Sequence, residues 1–315
     1  MPTSISSGFN LIFLWAILVT VSIVGLLGNG FITAVNGHRW LRKRKMLPCD
    51  LLLTSLGISR FLLQVISLVG CVLYYISSEI SLGSYTGALT HFSWIFLNMA
   101  SLWCATWLSV FYCLKVTNFT NPLFIWLKLR VNTLVPRLLG ISITVFTIFI
   151  LPPFVDYSIN KKWCNRTGTL PANASQSAIC KTISGLFGPP QLVFGSINFS
   201  INVTASILLL LSLWKHMRNL KNSSAGVKDL STQVHINVMK PLLFSLFLYL
   251  LYFPGMVFFT MNIFTFGRNE SLFPRLLLSA FPSAHSIILI VTNPKLKEVS
   301  ARILRKTKDI LERRD

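Results

Sequence analysis

Charge is what this chain has least of. Only 12% of its 315 residues are Asp, Glu, Lys or Arg, about half the share usual in a soluble domain. Acidic residues are scarcest, nine against 29 Lys and Arg. With 53% hydrophobic residues and a mean hydropathy of +0.63, so little charge excludes a solvated globular surface and indicates an integral membrane protein. The chain also lacks a CxxC pair, a His cluster of metal spacing, GxSxG and HExxH. Those absences remove the usual equipment of catalysis, so no enzyme, cofactor or metal site is expected. Repeated halves with broken helices around ion ligands are missing, as are charge rings and a filter loop, which weighs against a transporter or a channel. No Gly/Ser linker or low-complexity tract divides the chain. One membrane domain, residues 1–293, with a tail at 294–315, is therefore expected.

What is present is a series of apolar runs. A spanning helix needs about 20 mostly apolar residues, and seven runs qualify, near 9–35, 47–75, 85–114, 134–155, 185–214, 241–264 and 271–293. Pro136, Pro152, Pro153, Pro254 and Pro282 within or beside them predict kinks or helix ends. The first 38 residues contain no Lys or Arg, whereas HRWLRKRK after the first run carries five. Cytoplasmic loops are enriched in both residues, which puts the N-terminus outside. Alternating from there, inside segments hold 22 of the 29 Lys and Arg and outside segments 6, with Arg60 the remainder. The basic excess is thus a topology signal first and an attraction to anionic inner-leaflet lipid second; nucleic acid is not an expected partner. MPTSISSGFN lacks a basic n-region, so the first span is expected to be an uncleaved anchor. The segment PKLKEVSARILRKTKDILERRD gathers Leu296, Val299, Ile303, Leu304, Ile310 and Leu311 near one helical face, the pattern of a helix lying on a membrane surface.

A few polar residues stand out in this apolar setting. Arg60 lies inside LTSLGISRFLLQVISLVGC, where a charge costs about 3 kcal/mol or more on insertion scales, so it is expected to face the bundle interior. Of the N-x-S/T sequons, topology leaves Asn165, Asn173 and Asn269 as candidate glycan acceptors, the first two foremost, and places Asn198 and Asn202 inside the fifth span. Cys164 and Cys180 share an outside loop and are placed to form one bridge or to stay free; the other four cysteines read as small packing residues.

Several motifs in order carry a resemblance. GNGFITAVN lies in the first span, DLLLTSLGISR in the second and HFSWIFLNMASLWCATWLSVFYCLKVTNF in the third. FIWLKLR follows it; SLWKHMRNL ends the fifth, DLSTQVHINVMK leads into the sixth, and PSAHSIILIVTNPKLK closes the seventh. From Asn29 to Lys297 the chain resembles the bitter taste receptors, the taste receptor type 2 family of G protein-coupled receptors. The resemblance implies an all-α seven-helix bundle in the plasma membrane, with an extracellular N-terminus and a short amphipathic C-terminal helix in the cytoplasm. It also implies a small bitter agonist and a gustducin-like heterotrimeric G protein as partners, besides membrane lipid. A pheromone receptor is the alternative within receptors, and a transporter or channel the alternative outside them. The seventh span lacks the Lys that a retinal Schiff base requires, so an opsin is excluded.

Residue roles follow from the same source. Trp94 and Asn98, four apart and so on one helix face, match family positions that contact agonists in the outer half of the third span. Trp94 would stack on the ligand or else sit in the interfacial aromatic belt; Asn98 would offer a donor and an acceptor. Tyr249, Tyr252 and Met256 of the sixth span, Arg275 and Leu278 of the seventh, and Tyr75 of the second are the facing candidates. Arg275 would contact the ligand or bind lipid phosphate at the rim. The resemblance implies a polar network of Asn29, Arg60, His285 and Ser286, in which Arg60 donates to Asn29 and to backbone carbonyls of the first and seventh spans. Tyr112 and Lys115, within FYCLK where many rhodopsin-like receptors carry an acidic-Arg-Tyr triplet, would meet the G protein, together with His235 and Lys240.

Overall fold

The computed structural model describes the backbone of residues 2–43, 47–76, 85–117, 121–166, 188–223, 228–262 and 272–312, and the side chains of most of these. The described residues form eight helices and no strand: α1 Pro2–Lys43, α2 Pro48–Ile76, α3 Tyr85–Val116, α4 Pro122–Arg166, α5 Gly188–Ser223, α6 Lys228–Asn262, α7 Leu272–Thr292 and α8 Pro294–Leu311. Seven of them are long and apolar enough to cross a membrane. The fold is therefore the expected all-α, seven-span class with a short C-terminal helix.

The helices outrun the predicted spans. Hydropathy marks only the part that lipid requires to be apolar, whereas the hydrogen-bonded ladder continues into polar sequence; α4 begins at Pro122 rather than near 134. Besides Pro2 of α1, proline stands at three starts. Pro48, Pro122 and Pro294 open α2, α4 and α8, at the first-turn position where the missing N–H is not needed. Asn121 Oδ1 accepts from Leu123 N at 2.9 Å, and Asn293 Oδ1 accepts from Lys295 N and Leu296 N at 3.0 and 3.4 Å, so both asparagines act as N-caps. Pro136, Pro152, Pro153, Pro254 and Pro282 lie inside continuous helices. None ends a helix, contrary to one of the two expectations for them.

The helices close into a ring: α1 packs on α2 and α7, α3 on α2, α4 and α5, and α6 on α5 and α7. The core centres on α3, with Ile95, Met99, Leu102 and Leu108 among its buried residues. Ile148, Phe149, Ile197, Phe258 and Met261 instead point outward, as faces toward hydrocarbon do. Glycine lets α1 approach α7: a Cβ on Gly28 would lie 2.4 Å from Ser286 Oγ, whereas one on Gly37 would meet nothing within 4 Å. Overpacking of this kind costs about 1–3 kcal/mol. Gly28→Leu is therefore expected to lower the yield of folded protein extracted from membranes severalfold, read as the monodisperse fraction by size-exclusion chromatography, with Gly37→Leu unchanged.

The basic helix α8 is anchored to the bundle. Leu296 is fully buried, and Lys295 Nζ lies 3.3 Å from Asp50 Oδ1, while Arg39 reaches Asp50 Oδ2 at 3.8 Å. Ile303, Leu304 and Ile310 remain exposed, leaving an apolar face beside the basic one. The bundle thus has an α8 end and a far end.

Candidate functional site

In the far half, two turns of α3 face α6. Asn98 is buried; its Oδ1 accepts a 2.6 Å hydrogen bond from the Tyr252 hydroxyl, and its amide lies 3.9 Å from Met256 Sδ. A Cβ on Gly195 of α5 would lie 2.7 Å from Met256 Cε, so glycine there makes room for the thioether. Further out, the half-buried Trp94 ring lies 5.4 Å from Phe259, over which the Arg275 guanidinium sits at 5.9 Å. Arg275 Nη1 is 4.0 Å from Cys71 Sγ, which ties α7 to α2. Leu278 is buried one turn below. Tyr75 belongs to α2 by its backbone, and its side chain lies outside the described residues.

The structure thus brings Trp94, Asn98, Tyr252 and Met256 together, and adds Phe259. Its signal was in the sequence: the spacing of Tyr249, Tyr252 and Met256 continues to Phe259 along the same helical face. Chemically, this is an aromatic wall with an amide, a thioether and a guanidinium, suited to a compact organic molecule with a few polar groups.

Beneath it lies an aromatic column. Phe281 of α7 stands 4.8 Å from Tyr252, 5.6 Å from Tyr249 and 5.7 Å from His285, and the Tyr249 hydroxyl donates to Asn198 Oδ1 of α5. Arg60 closes the column. Its side chain is fully buried, its Cζ lies 5.3 Å from the Phe281 centroid, and its Nη1 lies 2.7 Å from His285 Nδ1. Arginine has no acceptor, so it donates and His285 Nδ1 is the unprotonated nitrogen.

Of the expected polar network, the structure sets His285 against Arg60. Asn29 spends its amide on Gly25 O at 2.8 Å, and Ser286 Oγ donates to Ser283 O at 2.7 Å. Each satisfies a carbonyl of its own helix, and Asn29 Oδ1 stays buried without a hydrogen-bond partner. Helical residues readily bond the preceding turn, and the long Arg60 stem reaches past α1 to the α7 ring.

At the α8 end, a cavity of about 270 Å³ opens between α3, α5, α6 and α7. Tyr112, Asn202, Ser206 and Ser245 line it, and Tyr249, Phe281 and His285 form its inner wall. Tyr112 also lies 3.4 Å from Cys49 Sγ of α2. Lys115 is exposed, 5.8 Å from the Phe111 centroid, and Lys240 is exposed beside Pro241 of the cavity wall. His235 lies in α6 with its side chain outside the described residues.

Asn198 and Asn202 are buried, as their place in α5 requires. Asn165 and Cys164 fall in the last turn of α4 with undescribed side chains, and Asn173, Cys180 and Asn269 lie outside the described residues. Cys49, Cys71, Cys104 and Cys113 are free, three of them buried.

Comparison with known proteins supplies the remaining observation. Residues 6–308 match the family described as Taste receptor protein (TAS2R). The chain is 32% identical over 303 residues to taste receptor type 2 member 7 of Mus musculus, covering 95% of this chain and 96% of that one. It is 34% identical over 312 residues to taste receptor type 2 member 41 of Pan paniscus, covering 96% and 97%. Against taste receptor type 2 member 7 of Papio hamadryas, identity is 32% over 296 residues and 92% of each chain.

Proposed function

This chain belongs to the taste receptor type 2 family, and from that premise we propose that it detects small bitter compounds in the far-end cluster and passes the event to a gustducin-type G protein at the α8 end. The far end then faces the exterior and α8 the cytoplasm, where 22 of the 29 Lys and Arg are found. Agonist stacks on Trp94 and Phe259 and exchanges hydrogen bonds with Asn98; Arg275 favours acceptor-rich or anionic ligands.

The observation that carries this reading is the shared wall. Tyr249, Phe281 and His285 belong both to the column under Asn98 and Tyr252 and to the lining of the α8-end cavity. An agonist that repacks Tyr252 therefore moves side chains that border the cavity. Binding shifts the equilibrium only by its differential affinity for the two packings; a bias of about 5.5 kcal/mol would take the population from 1:99 to 99:1. The cavity, with Tyr112, Lys115 and Lys240 around its mouth, receives the G protein α subunit.

The test is calcium imaging of cells carrying this chain and a gustducin-like α subunit against a panel of bitter compounds. A response that disappears in Trp94→Ala, with surface expression intact, supports the reading. Silence from well-expressed protein, with agonist-independent flux across vesicles, opposes it.

A further inference from the structure

The Arg60 guanidinium has one side served and one side open. Nη1 is taken by His285, while Nε and Nη2 are buried without a hydrogen-bond partner. Those two nitrogens form the bidentate edge of the guanidinium, the parallel pair of N–H donors that matches a carboxylate or another anion. Among the described residues no acid takes it. Of nine acidic residues, only Asp50 and Asp156 fall within the seven spans. Asp156 ends its span at the far side of α4, and Asp50, already paired with Lys295 and Arg39, lies ten residues, or about 15 Å, along α2.

The groups that do touch Arg60 leave its charge in place. His285 is neutral at Nδ1 and Phe281 contributes only its π face, about 2 kcal/mol when desolvated. A buried cation without a counter-charge is among the costliest arrangements a fold can hold.

We propose that the open Nε and Nη2 edge of Arg60 binds a small monovalent anion, chloride under cellular conditions, at the centre of the bundle. Asn29 Oδ1 and Gln64 Oε1 are also buried without donors; water accompanying the anion serves these acceptors, whereas water alone would leave the cation uncompensated. The ion has a route, because His285 and Phe281, which hold the guanidinium, also line the α8-end cavity. The site lies beneath the agonist cluster, with Phe281 between Arg60 and Tyr252, and does not rest on the identity of the agonist.

The experiment measures thermal unfolding of the full-length receptor in detergent, in sodium chloride, bromide and gluconate at matched ionic strength. The transition temperature is expected to rise by about 2–4 °C per tenfold increase of chloride above its dissociation constant, with bromide substituting and gluconate inactive. Asn29→Asp brings an internal carboxylate to the layer where α1 meets α2 at Gly57, one turn from Arg60, and is expected to flatten the dependence. Equal transition temperatures in all three salts overturn the proposal. So does a chloride increment of undiminished size in Asn29→Asp, which would place the ion elsewhere.

Discussion

Arg60→Ala eliminates the agonist response. The substitution removes the cation from His285, leaving a buried acceptor that costs about 1–3 kcal/mol, and truncates a fully buried long side chain, where cavities cost about 2–5 kcal/mol. Relief of the desolvation of the charge opposes both terms, so stability alone does not set the outcome. Arg60→Met separates the effects, since it fills most of the volume without the charge. It is expected to restore surface expression relative to alanine while the calcium response stays absent, because the link from α2 to the Phe281 and His285 column is gone. A normal response in Arg60→Met would show that the column operates without its cation.

Tyr252→Phe and Asn98→Ala each raise the agonist concentration for half-maximal response by about ten- to a hundredfold. The 2.6 Å bond between them is buried; Tyr252→Phe orphans the Asn98 acceptor and Asn98→Ala the Tyr252 donor, each at a cost of about 1–3 kcal/mol, where 1.4 kcal/mol is a factor of ten. The two effects share one interaction. The double variant is therefore expected to be no worse than Asn98→Ala alone, a non-additivity that a double-mutant cycle reads directly. Strict additivity would mean that each side chain meets the ligand independently and that the bond seen here carries nothing.

Much of this was legible in the sequence, and what was not has a physical reason. Hydropathy located all seven spans because lipid imposes one long apolar requirement on each, and the Asn-Pro steps at 121–122 and 293–294 mark helix starts by cap chemistry. The side-chain spacing that singled out Trp94 with Asn98, and Tyr249 with Tyr252 and Met256, is local and survives folding. Partners across helices are not local. That Arg60 Nη1 would meet His285 Nδ1 depends on how far a long stem reaches between helices. That Phe281 would join Tyr249, Tyr252, His285 and Arg60 depends on the rotation of α7, which the glycine contacts of α1 help to fix. Asn198 was correctly placed inside the fifth span, but its role as acceptor for Tyr249 needs the register between α5 and α6.

The central claim is that the far cluster and the α8-end cavity are coupled through Phe281. Its most direct test uses purified receptor with a gustducin-type heterotrimer, comparing agonist binding and agonist-stimulated nucleotide exchange in the wild type and in Phe281→Ala. Phe281→Ala is expected to retain agonist binding, which also reports an intact fold, and to lose most of the stimulated exchange. Exchange at the wild-type level with binding intact would contradict it.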